Sequence, residues 1–303
     1  MIWEVLHYVL LFFIYACLGW GCEVAFAAFK HGEFVNRGFL NGPLCPIYGF
    51  GVVGVVLALM PVKDDLWLLY LGSFLLTTLI EFVAGLALER IFHARWWDYS
   101  NTPLNIMGYV CLPFSLVWGA ACLVIVRYVH PMFAGLVDRL PHPVLAVADG
   151  LLLAVFLVDL CATVATVRKL TDRLRRLNDL GGEIHALSDE LGKQISGTAL
   201  AAKKAAEAGE ETLENRREAI QQQVSQKEAQ IAAWLDEHRA QTNERVEAVR
   251  ARFEANRRHV NQLLEEKGFG QRRILKAFPN LKSEHYPEAL ETLRDFYRRK
   301  RGK

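Results

Sequence analysis

Five apolar stretches, at residues 5–29, 44–60, 66–88, 107–129 and 144–167, dominate the first half of the chain, and most are too long for the core of a water-soluble domain. About 20 apolar helical residues match the roughly 30 Å hydrocarbon core of a bilayer. In that solvent every backbone polar group must find its partner inside the segment, which leaves helices for sequences of this type. The fold class expected is therefore all-α: a polytopic bundle of about five membrane spans. The stretch at 44–60 is the shortest and starts in Gly42-Pro43-Leu44-Cys45-Pro46. Prolines lack a backbone donor, so a broken or re-entrant start is expected there.

Charge divides the chain in two. Residues 1–167 hold 7 Lys/Arg and 11 Asp/Glu, whereas residues 168–303 hold 28 and 22, so the halves carry −4 and +6. Three regions follow: a transmembrane domain at 1–167, a long charged helical region at 168–267 and a short C-terminal module at 268–303. The middle region has no proline and is rich in strong helix formers. Leu177, Leu180, Ile184, Leu187 and Leu191 step by three and four, as do Val246, Val249, Phe253, Val260 and Leu263 with Asn256 at one position, and each set reads as a coiled-coil seam. Self-association through this tail is the expectation, with Gly181-Gly182, Gly192, Gly197, Gly209 and the Ala-rich 198–208 marking hinges or a fold-back. Gly268, Gly270, Pro279 and Pro287 punctuate the last module, whose basic end, Arg298 to Lys303, reads as a solvated tip or, if the tail folds back, a contact for anionic lipid. No nucleic-acid-binding motif accompanies that charge.

Basic residues resist translocation, so Arg168, Lys169, Arg173, Arg175 and Arg176 place the tail in the cytoplasm and, with five spans, the N-terminus outside. The first span has no basic n-region and is expected to be retained. Lys30 with Arg37, and Arg90 with Arg95, then mark cytoplasmic loops; the loop at Lys63-Asp64-Asp65 faces out, and Arg127 and Arg139 run against the rule.

An isolated charge at a helix centre costs at least about 2.5 kcal/mol in a membrane. Glu23, Glu81 and Asp159 all lie toward the tail side of their spans, where Arg37, Arg95 and Glu89 can reach them. The candidate polar pocket is therefore Glu23, Asn36, Arg37, Asn41, Glu81, Glu89, Asp98, Tyr99, Asn105 and Asp159. A purely structural role, ion pairs holding loops to the bundle, competes with a solute or ion site. Trp96, Trp97 and Tyr99 read first as an interfacial aromatic belt and otherwise as ligand contacts.

The six cysteines form neither a paired extracellular framework nor a zinc pattern and read as buried thiols. His259 and His285 are isolated and point to no metal. Gly49, Gly51 and Gly54 spell a dinucleotide fingerprint, but no strand precedes them, so they read as close-packing glycines and no cofactor is expected. No catalytic constellation stands out.

Residues 1 to about 130 resemble the bacterial family of CmpB-like membrane proteins, described as putative ABC-transporter type IV. The resemblance rests on Gly19-Trp20 with Glu23, on Asn36-Arg37-Gly38-Phe39-Leu40 running into Gly42-Pro43-Leu44-Cys45-Pro46-Ile47-Tyr48-Gly49, on Glu81 and Leu88-Glu89, and on Trp97-Asp98-Tyr99-Ser100 with Asn105 and Gly108. It implies a multi-span, permease-like protein of the bacterial inner (cytoplasmic) membrane. The chain contains no GxxxxGK[ST] phosphate loop, so ATP-driven transport would require a separate ATPase subunit. Two other readings compete: a non-catalytic anchor or organiser that recruits partners through its coiled coil, and an intramembrane enzyme using Glu23 or Glu81 as a base.

Overall fold

A computed structural model of the chain describes residues 2–213, 244–266, 268 and 270–301. Two compact units result: Met1–Asp172 together with Lys267–Lys303, and Arg173–Glu266.

The first unit is built on helices α1 (Ile2–His31), α2 (Pro46–Leu59), α3 (Leu66–Phe92), α4 (Leu112–Val124), α5 (His130–Val137) and the start of α6 (His142–Leu213). Among the described residues four helices are long and apolar enough to cross a membrane, starting at Ile2, Leu66, Leu112 and His142. The fifth apolar segment, Pro46–Val62, spans 17 residues, or about 25 Å at 1.5 Å per residue, short of a full crossing. Large apolar side chains face outward along the long helices, among them Leu75, Leu79 and Val83 on α3 and Leu151, Val155 and Val158 on α6. A membrane helical bundle accounts for both the lengths and the outward faces.

Local chemistry sets the ends. Asp65 caps α3, its Oδ1 accepting from Trp67 N and Leu68 N at 3.0 Å each. Pro46 opens α2 and Pro113 opens α4, positions where a missing N–H costs nothing. A π-helical turn at Ile125–Val129 joins α4 to α5 beside Pro131, which has no N–H to offer the carbonyl one turn back. The fourth span starts at Leu112 instead of residue 107, because Asn105–Ile106 (β2) and Val110–Cys111 (β3) pair as a small hairpin.

Contacts give the helix directions. Gly19 and Gly49 make the α1–α2 seam: a Cβ on Gly19 would lie 2.3 Å from the Tyr48 ring, and one on Gly49 would lie 2.6 Å from Phe12. Of the fingerprint glycines, Gly49 packs closely as expected, whereas Gly51 faces open space. Leu59 meets Gly72 and Arg127 Nη1 donates to Lys63 O at 3.2 Å, so α2 and α4 oppose α3. Trp3 stacks on His142 and Phe12 and Phe13 meet Phe156, so α6 runs with α1. The core is Leu11, Tyr15, Val52, Val55, Val56, Leu69, Val126 and Leu145, with Tyr15 Oη 2.8 Å from His130 Nδ1.

Cys45 N donates to Ala16 O, halfway along α1, so the segment between α1 and α2 descends beside α1 and occupies the depth that α2 does not reach. The prolines at 43 and 46 mark this descent. Residues 32–45 and 93–111 form two long loops at the same end of the bundle, where α1 and α3 finish; this is called the long-loop end below.

In the second unit, α6 continues and residues 244–265 form a helix, α7. Arg173 donates to Leu263 O and Leu264 O, and Asn256 Nδ2 donates to Glu183 Oε2 at 2.8 Å, so the two helices run antiparallel. Leu177, Val249 and Leu263 are buried, and Leu180, Ile184, Leu187, Val246, Phe253, Asn256 and Val260 are half-buried, with exposed residues between them. The two apolar seams thus face each other within one chain. Residues 214–243 and the side chains of Leu191, Gly197, Gly209 and 198–208 lie outside the described residues.

Candidate functional site

Charge in a membrane interior has to be paired, and three carboxylate clusters build the long-loop end. On α1, Glu23 Oε1 accepts from Tyr48 Oη at 2.7 Å, and Arg37 Nε lies 3.3 Å from Glu23 Oε2. Gly19, one turn earlier, leaves the space in which Tyr48 sits. Arg37 also stands over the Phe26 ring at 5.8 Å. Asn36 Oδ1 accepts from Trp20 Nε1 (2.9 Å) and Gly38 N (3.0 Å), while its Nδ2 donates to Asn41 O (2.8 Å), so the motif Asn36-Arg37-Gly38 folds its loop on itself.

Asp159 of α6 holds that loop down. Its Oδ1 accepts from Asn41 N (3.1 Å), Asn41 Nδ2 (2.8 Å) and Thr163 Oγ1 (3.3 Å), and its Oδ2 accepts from Gly42 N (2.7 Å). A carboxylate accepting this many hydrogen bonds is satisfied where it stands. Geometry gives Asp159 a positioning role for Asn41.

The third cluster lies in residues 93–111. Arg95 Nε and Nη2 bond both oxygens of Glu89 at 2.9 and 3.2 Å, a bidentate fork, and Arg95 Nη1 lies 3.6 Å from Asp98 Oδ1. The Arg95 guanidinium also stands 4.8 Å from the Tyr109 ring centroid. Asn105 accepts from Gly108 N and donates to Ser100 O and Thr102 O, which ties the loop into one piece. Gly108 adopts φ +74, and a Cβ there would lie 2.6–2.9 Å from Ser100, Asp98 and Arg95, so only glycine fits. Tyr99 stacks on Phe114 and donates from its hydroxyl to Glu81 Oε1 at 3.3 Å. Burial pushes the Tyr99 phenol well above its ordinary range, and the charges of Glu81 and Glu23 add to the shift. Glu81 Oε2 is buried with no hydrogen-bond partner.

The C-terminal segment closes over these loops. Gln271–Ala277 (α8), Lys282–Ser283 (β4) and Pro287–Arg301 (α9) belong to the same compact unit as the spans. Arg273 donates to Gly38 O (2.9 Å) and Phe39 O (3.0 Å), and Lys276 pairs with Glu33 at 3.3 Å. Burial lowers the Arg273 guanidinium, and the charge of Asp159 opposes that shift. Strand β4 pairs antiparallel with Ala94–Arg95 (β1), matching Ala94 with Ser283 and Arg95 with Lys282. Lys282 Nζ lies 2.5 Å from Asp98 Oδ2. Burial alone would raise the Asp98 carboxyl, but hydrogen bonds from Lys282 and Ser100 outweigh it and hold the group well below the usual carboxylate range.

This docking corrects the aromatic-belt expectation for Trp96. The residue is 4% exposed, and its ring lies against Phe39, Phe92 and, from the C-terminal segment, Phe278. Trp97 donates from Nε1 to Tyr109 O at 2.8 Å, and Tyr99 serves Glu81. Three of the six cysteines, Cys17, Cys22 and Cys161, are exposed on the apolar helices instead of buried as expected.

Sequence reasoning overlooked Asp149 of α6. It is 1% exposed, and neither carboxyl oxygen has a hydrogen-bond partner. Its position on the stripe of Leu145, Phe156 and Thr163 was the available signal.

The fold and these clusters define a polytopic helical membrane protein with charged groups gathered at one end of the bundle. A family model described as putative ABC-transporter type IV matches residues 10–164 of the 303, and the chain belongs to that family. The match carries a transporter-related membrane role. No solved structure matches the chain.

Proposed function

We propose that this chain is the permease-like component of a solute transporter energised by a separate ATPase subunit. The observation that carries the reading is Glu81: one oxygen is bonded to Tyr99 and the other is buried and unpartnered. A carboxylate so placed in a low-dielectric site calls for a proton, a cation or a donor group of a solute. Glu23, Arg37, Glu89, Asp98 and Asn105 supply the polar surroundings, while Asn36, Asn41 and Asp159 hold the loop that shapes them. Family membership and the absence of a phosphate loop from the sequence support the division of labour with an ATPase.

In this reading the protein sits in the bacterial inner membrane with its N-terminus outside and the long-loop end and tail in the cytoplasm. The alternating helix directions support that orientation, as do the arginines after residue 167. The organising tail becomes the weaker reading, because its two seams cover each other and leave less apolar surface for a second copy.

The test compares host membrane vesicles carrying the parent chain or Glu81→Gln, matched for folded protein by size-exclusion profile. ATP-dependent accumulation of solutes is followed by mass spectrometry. At least one solute should accumulate with the parent and lose that accumulation in the variant. Identical solute profiles would contradict the reading.

A further inference from the structure

The tip of the β1–β4 ladder gathers three groups that the carboxylate clusters do not use. His93 ends α3 in the left-handed region (φ 49) and its Nδ1 lies 3.6 Å from Glu284 Oε2. Glu284 N donates to His93 O at 3.0 Å, which extends the ladder by one pair beyond Ala94–Ser283. Residues directly opposite in an antiparallel pair project to the same face. His285, the next residue, brings its ring centroid to 4.8 Å from that of His93. One ligand atom from each of the three falls within 4.8 Å of the others.

We propose that His93, Glu284 and His285 form a site for a divalent transition-metal ion of the zinc class, which fastens the C-terminal segment to the end of α3. Zinc takes imidazole nitrogen and carboxylate oxygen at about 2.0–2.2 Å, so tetrahedral ligands stand roughly 3.4 Å apart. The His93–Glu284 pair is already near that spacing, and the rest closes by rotation of exposed side chains. Two imidazoles and one carboxylate favour zinc-class ions over calcium or magnesium, which prefer oxygen donors throughout. The two cations of the ladder are already engaged, Arg95 by Glu89 and Lys282 by Asp98, so neither competes for Glu284. Because His93 ends α3 whereas Glu284 and His285 lie in the C-terminal segment, the site exists only when that segment is docked. Metal binding therefore stabilises docking by linkage.

Tag-free full-length protein in mild detergent, stripped with chelator, is titrated calorimetrically with Zn2+ and, separately, with Co2+ as a spectroscopic probe. His285→Ala and His93→Asn are compared with the parent; asparagine removes the imidazole and tolerates the left-handed conformation. The parent should bind one equivalent of Zn2+ that both variants lose by at least about tenfold. Amide exchange across 282–286 should slow with Zn2+ in the parent alone. Absence of stoichiometric binding, or equal binding by parent and His285→Ala, overturns the proposal.

Discussion

Lys282 Nζ lies 2.5 Å from Asp98 Oδ2, joining residues 184 positions apart in the chain. The Asp98 side chain is 6% exposed whereas that of Lys282 is 65% exposed, so one partner is sheltered and the other is screened by water. Removing the lysine should therefore cost only about 0.5–1 kcal/mol, the range of half-exposed ion pairs. Lys282→Met is expected to lower the thermal midpoint slightly and to speed proteolysis of residues 270–301.

The direction of the Asp98 shift sets a pH window for that difference. A carboxyl whose folded value is depressed contributes stability that is fully present above its unfolded value of about 3.9 and lost only as pH falls through the folded value. The gap in midpoint between parent and Lys282→Met should hold constant from pH 7.5 to pH 5. A gap that collapses inside that window would contradict the assignment.

Asp159 should behave as a structural group. Asparagine in its place offers one acceptor oxygen where the loop presents the amides of Asn41 and Gly42 and the Asn41 side chain. Asp159→Asn is expected to destabilise the detergent-solubilised protein by about 1–3 kcal/mol. A midpoint indistinguishable from the parent would show that the loop is held some other way.

The α1–α2 seam gives a paired test. A methyl at Gly19 collides with the Tyr48 ring, whereas one at Gly21 meets nothing within 4 Å. Gly19→Ala should cost about 1–3 kcal/mol and loosen the Tyr48–Glu23 bond, while Gly21→Ala should be neutral or slightly stabilising. Thermal unfolding of the two variants side by side decides it.

The spans were legible because apolar length is a local property: four stretches near 5–29, 66–88, 107–129 and 144–167 became long helices, and the prolines at 43 and 46 marked the one that did not. Residues 107–111 read as the start of a span because Met107, Tyr109, Val110 and Cys111 are apolar, yet with Asn105–Ile106 they fold into a hairpin held by Asn105 and Gly108. Charge economy in a membrane points to Arg37 and Arg95 as partners for Glu23, Glu81 and Asp159; Arg37 does reach Glu23, whereas Arg95 forks onto Glu89, Glu81 takes the Tyr99 hydroxyl and Asp159 takes the Asn41–Gly42 loop. The C-terminal docking left almost no trace, since β1 and β4 are two residues each and only three-dimensional contact reveals that Trp96 meets Phe278. Asp149 hid in plain sight among leucines.

The central claim, a permease that works with a separate ATPase, is tested most directly by purifying the full-length protein from its own host in gentle detergent and determining the mass and composition of the complex. The account predicts a stoichiometric partner carrying a P-loop ATPase sequence, whose ATP hydrolysis depends on this chain. A complex of this chain alone, with no such partner and no associated hydrolysis, would contradict it.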